Sequence, residues 1–120
     1  MTHHDTGYKP DKCLSRLKNV FEKDNTALHE KDKDYQGSWK KRGGVGAFMM
    51  LCRKWDRIEA RMRRTGYDIF KAIEDDTRQE SVLDDIQDLR RYLALVEAEM
   101  EIQLNDDLED HGVGRITGMN

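Results

Sequence analysis

The chain has 120 residues and a mass of 14.1 kDa, a length that points to one domain built on one core. Apolar residues are 37% and charged residues 38% of it, so the apolar ones must be gathered on faces, and a single proline leaves long helices unbroken. With 21 Lys plus Arg against 24 Asp plus Glu, the net charge of −3 leaves too few unopposed cations for a duplex nucleic-acid binder. No run approaches the roughly 18 apolar residues of a membrane span, and the N-terminus lacks the apolar stretch of a signal peptide. Cys13 and Cys52 show no CxxC spacing and have no ligand histidines nearby, so reduced thiols in a cytoplasmic protein are expected.

In chain order, Met1 to Tyr8 is expected to be a loose tail. Pro10 to about Asp32 places Leu14, Leu17, Phe21 and Leu28 at helical spacing, with Val20 beside them and Pro10 in the first turn. Lys33 to Gly46 is punctuated by glycines and carries three consecutive cations, so it is predicted as a loop. A second helix follows from about Val45 to Arg64, with Phe48, Leu51, Cys52, Trp55, Ile58 and Met62 as one apolar stripe. Thr65-Gly66 ends it, and Tyr67 to Ile73 reads as a short connecting helix. Thr77-x-x-Glu80 has the form of a capping box opening a third long helix to about Leu104, striped by Val82, Ile86, Leu89, Leu93, Val96 and Met100. Asn105 to Asn120 is acidic, then glycine-rich, and reads as a second tail. The expected architecture is a single all-α domain with its core over about residues 10–104. Three main helices and one short one make a bundle thin enough to need oligomerisation.

Several acids fall where apolar residues belong. Counting 100° per residue from Phe48, Trp55 falls at about 340°, Cys52 at about 40°, Glu59 at about 20° and Asp56 at about 80°. Glu59 thus sits inside the predicted stripe and Asp56 at its margin. From Val82 on the third helix, Asp85 falls at about 300°, Asp88 at about 240° and Asp84 at about 200°. A carboxylate on a buried face is costly unless a cation or metal accompanies it. Two facing pairs, Asp56/Glu59 with Asp85/Asp88 or Asp84/Asp88, would form an oxygen-rich pocket suited to Mg²⁺ or Mn²⁺. The plainer alternative is that acids border a stripe by chance in so charged a chain, with Asp84 serving Ser81 in a second capping box.

Lys40-Lys41-Arg42-Gly43-Gly44 offers cations and unhindered backbone N–H groups at the start of a helix, a combination that can hold phosphate. Tyr35 and Trp39 beside it are candidates to stack on a base, although aromatic residues at such places more often pack on the core. His3, His4, His29 and His111 have no metal-ligand spacing. No nucleophile elbow, Walker loop or dinucleotide fingerprint occurs.

Three segments taken in order carry a resemblance: Tyr35-Gln36-Gly37-Ser38-Trp39, Arg53-Lys54-Trp55-Asp56-Arg57-Ile58-Glu59, and Glu80-Ser81-Val82-Leu83-Asp84-Asp85-Ile86-Gln87-Asp88-Leu89-Arg90-Arg91-Tyr92. Over roughly residues 28–100 the chain resembles the phage nucleotide-modification-associated domain, a branch of the MazG-like all-α nucleotide pyrophosphohydrolases. Members of that family carry a Glu-x-x-Glu pair on one helix and a Glu-x-x-Asp pair on the next, which bind Mg²⁺. Asp56-x-x-Glu59 resembles the first pair and Asp85-x-x-Asp88 the second, each with Asp replacing a Glu. The phage branch instead tends to show an acid at the position of Asp84, so Asp84 and Asp85 are alternatives.

The resemblance implies a MazG-like bundle, a dimer or tetramer, and hydrolysis of a nucleoside triphosphate to its monophosphate and diphosphate. Within the branch it extends to the MazZ-type enzymes of phages that replace adenine with 2-aminoadenine. That implies dGTP or GTP as substrate, dGMP for synthesis of the modified nucleotide, and the host cytoplasm as location. The acids would hold one to three ions that neutralise the triphosphate and activate water, with Glu59 accepting its proton. Lys40, Lys41, Arg42 and Lys54 would face the outer phosphates, and Trp39, Tyr35 and Trp55 the base. The rival expectation is a helical interaction protein of a phage, its inward acids paired with Arg57, Arg61 or Arg91 of another subunit. A family member that binds nucleotides without turnover is a third possibility.

Overall fold

The computed structural model describes residues 7–75 and 81–111, and every regular element among them is helical. No helix among the described residues is long and apolar enough to cross a membrane. The chain divides into two compact units, residues 1–38 and residues 39–120.

The first unit is built on helix α1, Lys12–Tyr35. Pro10 lies just ahead of it rather than in its first turn, and Asp11 occupies the N-cap position. Gln36 ends the helix in the left-handed conformation at φ 48°, and its N–H donates to the Asp32 carbonyl at 2.9 Å. Gly37, also left-handed, donates its N–H to Asp32 Oδ1 at 3.0 Å. The predicted apolar stripe of α1 is largely exposed at Leu14, Leu17 and Phe21, and the buried residue of the helix is Asp24.

A 3₁₀ turn, Ser38–Lys40, spans the boundary, and the second unit continues into α2, Gly43–Met62. The expected loop over Lys33 to Gly46 is therefore shorter at both ends. Its glycines serve the start of α2: Gly43 takes φ 76°, and a Cβ on Gly46 would stand 2.8 Å from Cβ of Arg42. At the other end α2 tightens into a 3₁₀ turn, Arg63–Thr65, and left-handed Gly66 lets the Tyr67 N–H reach back to the Met62 carbonyl at 2.8 Å.

Asp68 then starts the short helix α3, Lys71–Asp75, its Oδ1 accepting the N–H groups of Phe70 at 3.1 Å and Lys71 at 3.3 Å. This helix begins later than the predicted Tyr67 because Asp68 is the residue that caps it. The Thr77-x-x-Glu80 box lies outside the described residues. The long helix α4 runs Val82–His111, past the predicted end at Leu104, since no glycine or proline interrupts the chain before Gly112.

Helices α2 and α4 pack as antiparallel neighbours. Arg61 pairs with Asp85, Lys54 with Asp88 and Lys40 with Glu99, so residue numbers fall along one helix as they rise along the other. The core lies toward one end of this pair, where Ile58, Met62, Ala72 and Val82 are buried and Ile86 and Leu89 pack against them. Complete burial of a side chain such as Ile58, Met62 or Val82 stabilises by about 1.5–3 kcal/mol. Farther along, Phe48, Trp55, Leu93 and Met100, predicted as stripe residues, are exposed.

Candidate functional site

The three acids at the start of α4 have three different surroundings. Asp84 belongs to a reciprocal cap: the Ser81 N–H donates to Asp84 Oδ2 at 2.9 Å, and the Asp84 N–H donates to Ser81 Oγ at 3.3 Å. This is the capping alternative weighed for that residue. Asp85 is 1% exposed, with Oδ1 accepting Arg57 Nε at 2.9 Å and Oδ2 accepting Arg61 Nε at 2.5 Å. Both of its oxygens are thus committed to guanidinium groups of the same chain. Asp88, half-buried one turn further, meets Lys54 Nζ at 3.3 Å, and that ammonium also stands 5.8 Å from the centroid of the Tyr92 ring.

The acids of α2 lie elsewhere. Counting again from Phe48, the residues that meet α4 — Lys54, Arg57, Ile58, Arg61 and Met62 — fall at about 240°, 180°, 280°, 220° and 320°. Asp56 and Glu59, at about 80° and 20°, are turned well away from that seam. The single apolar stripe expected on α2 is therefore two faces. Ile58 and Met62 pack in the core beside the cations, while Phe48 and Trp55 remain outside with the acids. Asp56 is exposed and Glu59 half-buried, and neither carboxylate has a hydrogen-bonding or ionic partner among the described residues.

So the structure joins Asp85 and Asp88 to cations of α2, and it does not join Asp56 and Glu59 to the acids of α4. Among the described residues, no three His, Cys, Asp or Glu side chains stand together as a group that could hold a metal ion. Within one chain these residues do not fit the divalent-ion site pictured from the wheel. Asp85 fits least, because a metal there would have to displace two guanidinium groups from a buried carboxylate.

The basic residues at the start of α2 differ in their surroundings. Lys41 and Arg42 are exposed immediately ahead of Gly43 and Gly44, whose N–H groups belong to the first turn. Lys40, however, is tied to Glu99 Oε1 on α4 at 2.6 Å. That bond, with a second from Gln103 Nε2 at 2.9 Å, holds the Glu99 carboxyl below its ordinary pKa. Trp39 is half-buried in the 3₁₀ turn, while Tyr35 and Trp55 are exposed. Cys13 and Cys52 are free thiols.

Sequence patterning passed over Glu99, and it counted Arg57 and Arg61 of α2 only as partners for another subunit. The signal for an intrachain tie was present: cations at positions 54, 57 and 61 recur at helical spacing, as do acids at 85, 88 and 99 on the partner helix. Comparisons with protein-family models, with curated proteins and with solved structures return no match to this chain.

Proposed function

We propose that the chain is a nucleoside triphosphate diphosphohydrolase, acting on dGTP or GTP, with Mg²⁺ or Mn²⁺ as its cofactor. The observation that carries this reading is that the helices bearing Asp56-x-x-Glu59 and Asp85-x-x-Asp88 are antiparallel neighbours. That adjacency accords with the resemblance drawn from their sequences. The acids of a single chain do not form one oxygen site, so the roles below belong to the chain's own groups.

In the reaction, the oxygen of a water molecule bonds to the α-phosphorus of the triphosphate. The bond from that phosphorus to the α,β-bridging oxygen breaks, and diphosphate leaves with the oxygen. Glu59, half-buried and without a described partner, is the carboxylate free to take the proton lost by the water. Lys41 and Arg42, with the N–H groups of Gly43 and Gly44, offer charge and hydrogen bonds to the phosphates. Lys54 and Asp85 serve the α2–α4 seam in this account, since each already holds an opposite charge.

The test is incubation of the pure protein with each of the eight common NTPs and dNTPs, with Mg²⁺ or Mn²⁺, and separation of the products. Monophosphate from dGTP and GTP alone supports the whole proposal and a role in supplying dGMP for 2-aminoadenine nucleotide synthesis. Monophosphate from another base keeps the reaction and discards that role. No turnover with any of them removes the hydrolase and favours the second reading, a helical interaction protein. That reading expected Arg57 or Arg61 of another subunit at the inward acids, whereas within this chain both guanidinium groups already meet Asp85.

A further inference from the structure

Between α2 and α3 the chain turns at a cost that packing does not return. Gly66 and Tyr67 follow one another in the left-handed conformation, both at φ 64°. Glycine takes that conformation freely, whereas a tyrosine there crowds its Cβ against its own backbone. Burial of the ring could offset the strain, but Tyr67 is 67% exposed, and Phe70, three residues on, is 78% exposed. The backbone that carries the two rings is nevertheless fixed. The Tyr67 N–H donates to the Met62 carbonyl at 2.8 Å, the Asp68 N–H to the Thr65 carbonyl at 3.2 Å, and the Phe70 N–H to Asp68 Oδ1 at 3.1 Å. A strained aromatic held out to solvent on a hydrogen-bonded turn points to a ligand that the ring meets.

Cations lead up to these rings. Arg63 and Arg64 stand in the 3₁₀ turn that closes α2. Arg53 falls at about 140° on the α2 wheel counted from Phe48, beside Arg57, which is tied to Asp85. The side chains of Arg53, Arg63 and Arg64 are exposed and have no acidic partner among the described residues. Guanidinium groups followed by aromatic rings suit the two halves of a nucleotide, its phosphate and its base. Residues 68–75 hold three acids, Asp68, Glu74 and Asp75, against Lys71, so the cationic side of the segment ends at the rings. Phosphates belong on the arginine side, and an anionic membrane, which would press on both sides, fits poorly. Arg53 and Arg64 are about 16 Å apart at about 1.5 Å per residue, the reach of roughly three to five nucleotides.

We propose that Arg53, Arg63, Arg64, Tyr67 and Phe70 bind a short stretch of single-stranded nucleic acid, with the arginines on its phosphates and the rings on its bases. None of these residues serves the hydrolase proposed above, so the site goes beyond that reading and does not depend on it. Every base offers a face to a ring, so the site selects no base sequence. A duplex, whose bases are stacked within, cannot present them to Tyr67 and Phe70.

The probe is a fluorescent oligothymidylate of about twelve nucleotides, titrated against the full chain in EDTA so that no metal-dependent hydrolysis intervenes. Anisotropy is expected to report binding that weakens by roughly five- to a hundredfold in Tyr67→Gly and in Phe70→Ser. Melting separates contact from folding: Tyr67→Gly relieves the left-handed strain, so it is expected to melt at or above the wild-type temperature while its binding falls. Arg53→Gln combined with Arg64→Gln is expected to lower the slope of log affinity against log salt by about 1.4, since each phosphate contact contributes about 0.7. Binding unchanged in both ring variants overturns the proposal, as does a preference for the duplex of the same length. Displacement of the strand by thymidine triphosphate at equal nucleotide concentration overturns it in favour of a free-nucleotide site. Binding to phosphatidylserine vesicles, lost in the same ring variants and without any binding of the strand, overturns it in favour of a lipid surface.

Discussion

Asp85 and Arg61 meet at 2.5 Å with both residues buried, and Arg57 closes on the other oxygen of the same carboxylate. The Asp85 carboxylate is what makes burial of Arg61 tolerable. Removing one partner of such a pair typically costs about 3–5 kcal/mol, because a charge is left buried and uncompensated. Asp85→Ala is therefore expected to lower unfolding stability by that amount in urea titrations. Restoring most of it by adding Arg61→Met would show that the cost lies in the stranded guanidinium.

Glu59 stands in contrast. It has no described partner, so Glu59→Gln should change stability by less than about 0.5 kcal/mol while reducing nucleotide turnover by roughly 10²-fold or more. Product analysis and thermal melting of the same preparation check both halves. Full turnover in the variant would exclude Glu59 as the base.

Metal dependence has its own readout. A divalent ion that binds the folded chain alone stabilises it, by about 2.7 kcal/mol at a hundredfold excess over its dissociation constant. Mn²⁺ is accordingly expected to raise the melting temperature. Lys54→Met should enlarge the rise, since Asp88 then loses the ammonium at 3.3 Å that competes for it. An unchanged melting temperature in both proteins would remove the metal from the proposal.

The Lys40–Glu99 tie predicts a pH dependence. The bond from Lys40, reinforced by Gln103, holds the folded-state pKa of Glu99 below its unfolded value. The stabilisation is thus present above the ordinary carboxylate pKa and is lost as pH falls through the lowered folded value. Carboxyl NMR titration should return Glu99 close to its ordinary value in Lys40→Met, and the acid limb of the stability curve should flatten. An unmoved titration would show that the tie does not persist in solution.

Gly46 provides a steric test at the start of α2. A Cβ there would stand 2.8 Å from Cβ of Arg42, an atom close to the backbone with little freedom to move aside. Gly46→Ala should cost about 1–3 kcal/mol despite the better helix propensity of alanine, as overpacking does elsewhere. Gly44→Ala, where no atom lies within 4 Å, should be neutral or stabilising. Parallel urea titrations of the two variants decide it.

The long helices were legible in the residues because period and punctuation are local properties. Leu14, Leu17 and Phe21 announce α1, left-handed Gln36 and Gly37 end it, and Gly66 ends the turn after α2. The capping role of Asp84 was likewise within reach, since Ser81 and Asp84 stand three residues apart on one chain segment. What a helical wheel cannot supply is the direction from which a neighbour arrives. On α2, apolar and charged residues are spread widely enough that two faces were available for burial. The sequence placed Glu59 among the apolar residues of that helix; only the packing of α4 on the Lys54–Arg61 side decided which acids are neutralised. Asp85 and Asp88 fall on the cations, Asp56 and Glu59 are left outside, and Phe48 and Trp55 remain exposed with them. The physical reason is that helix periodicity is set by each chain segment alone, whereas α4 approaches where its acids meet opposite charge and Val82 meets Ile58 and Met62.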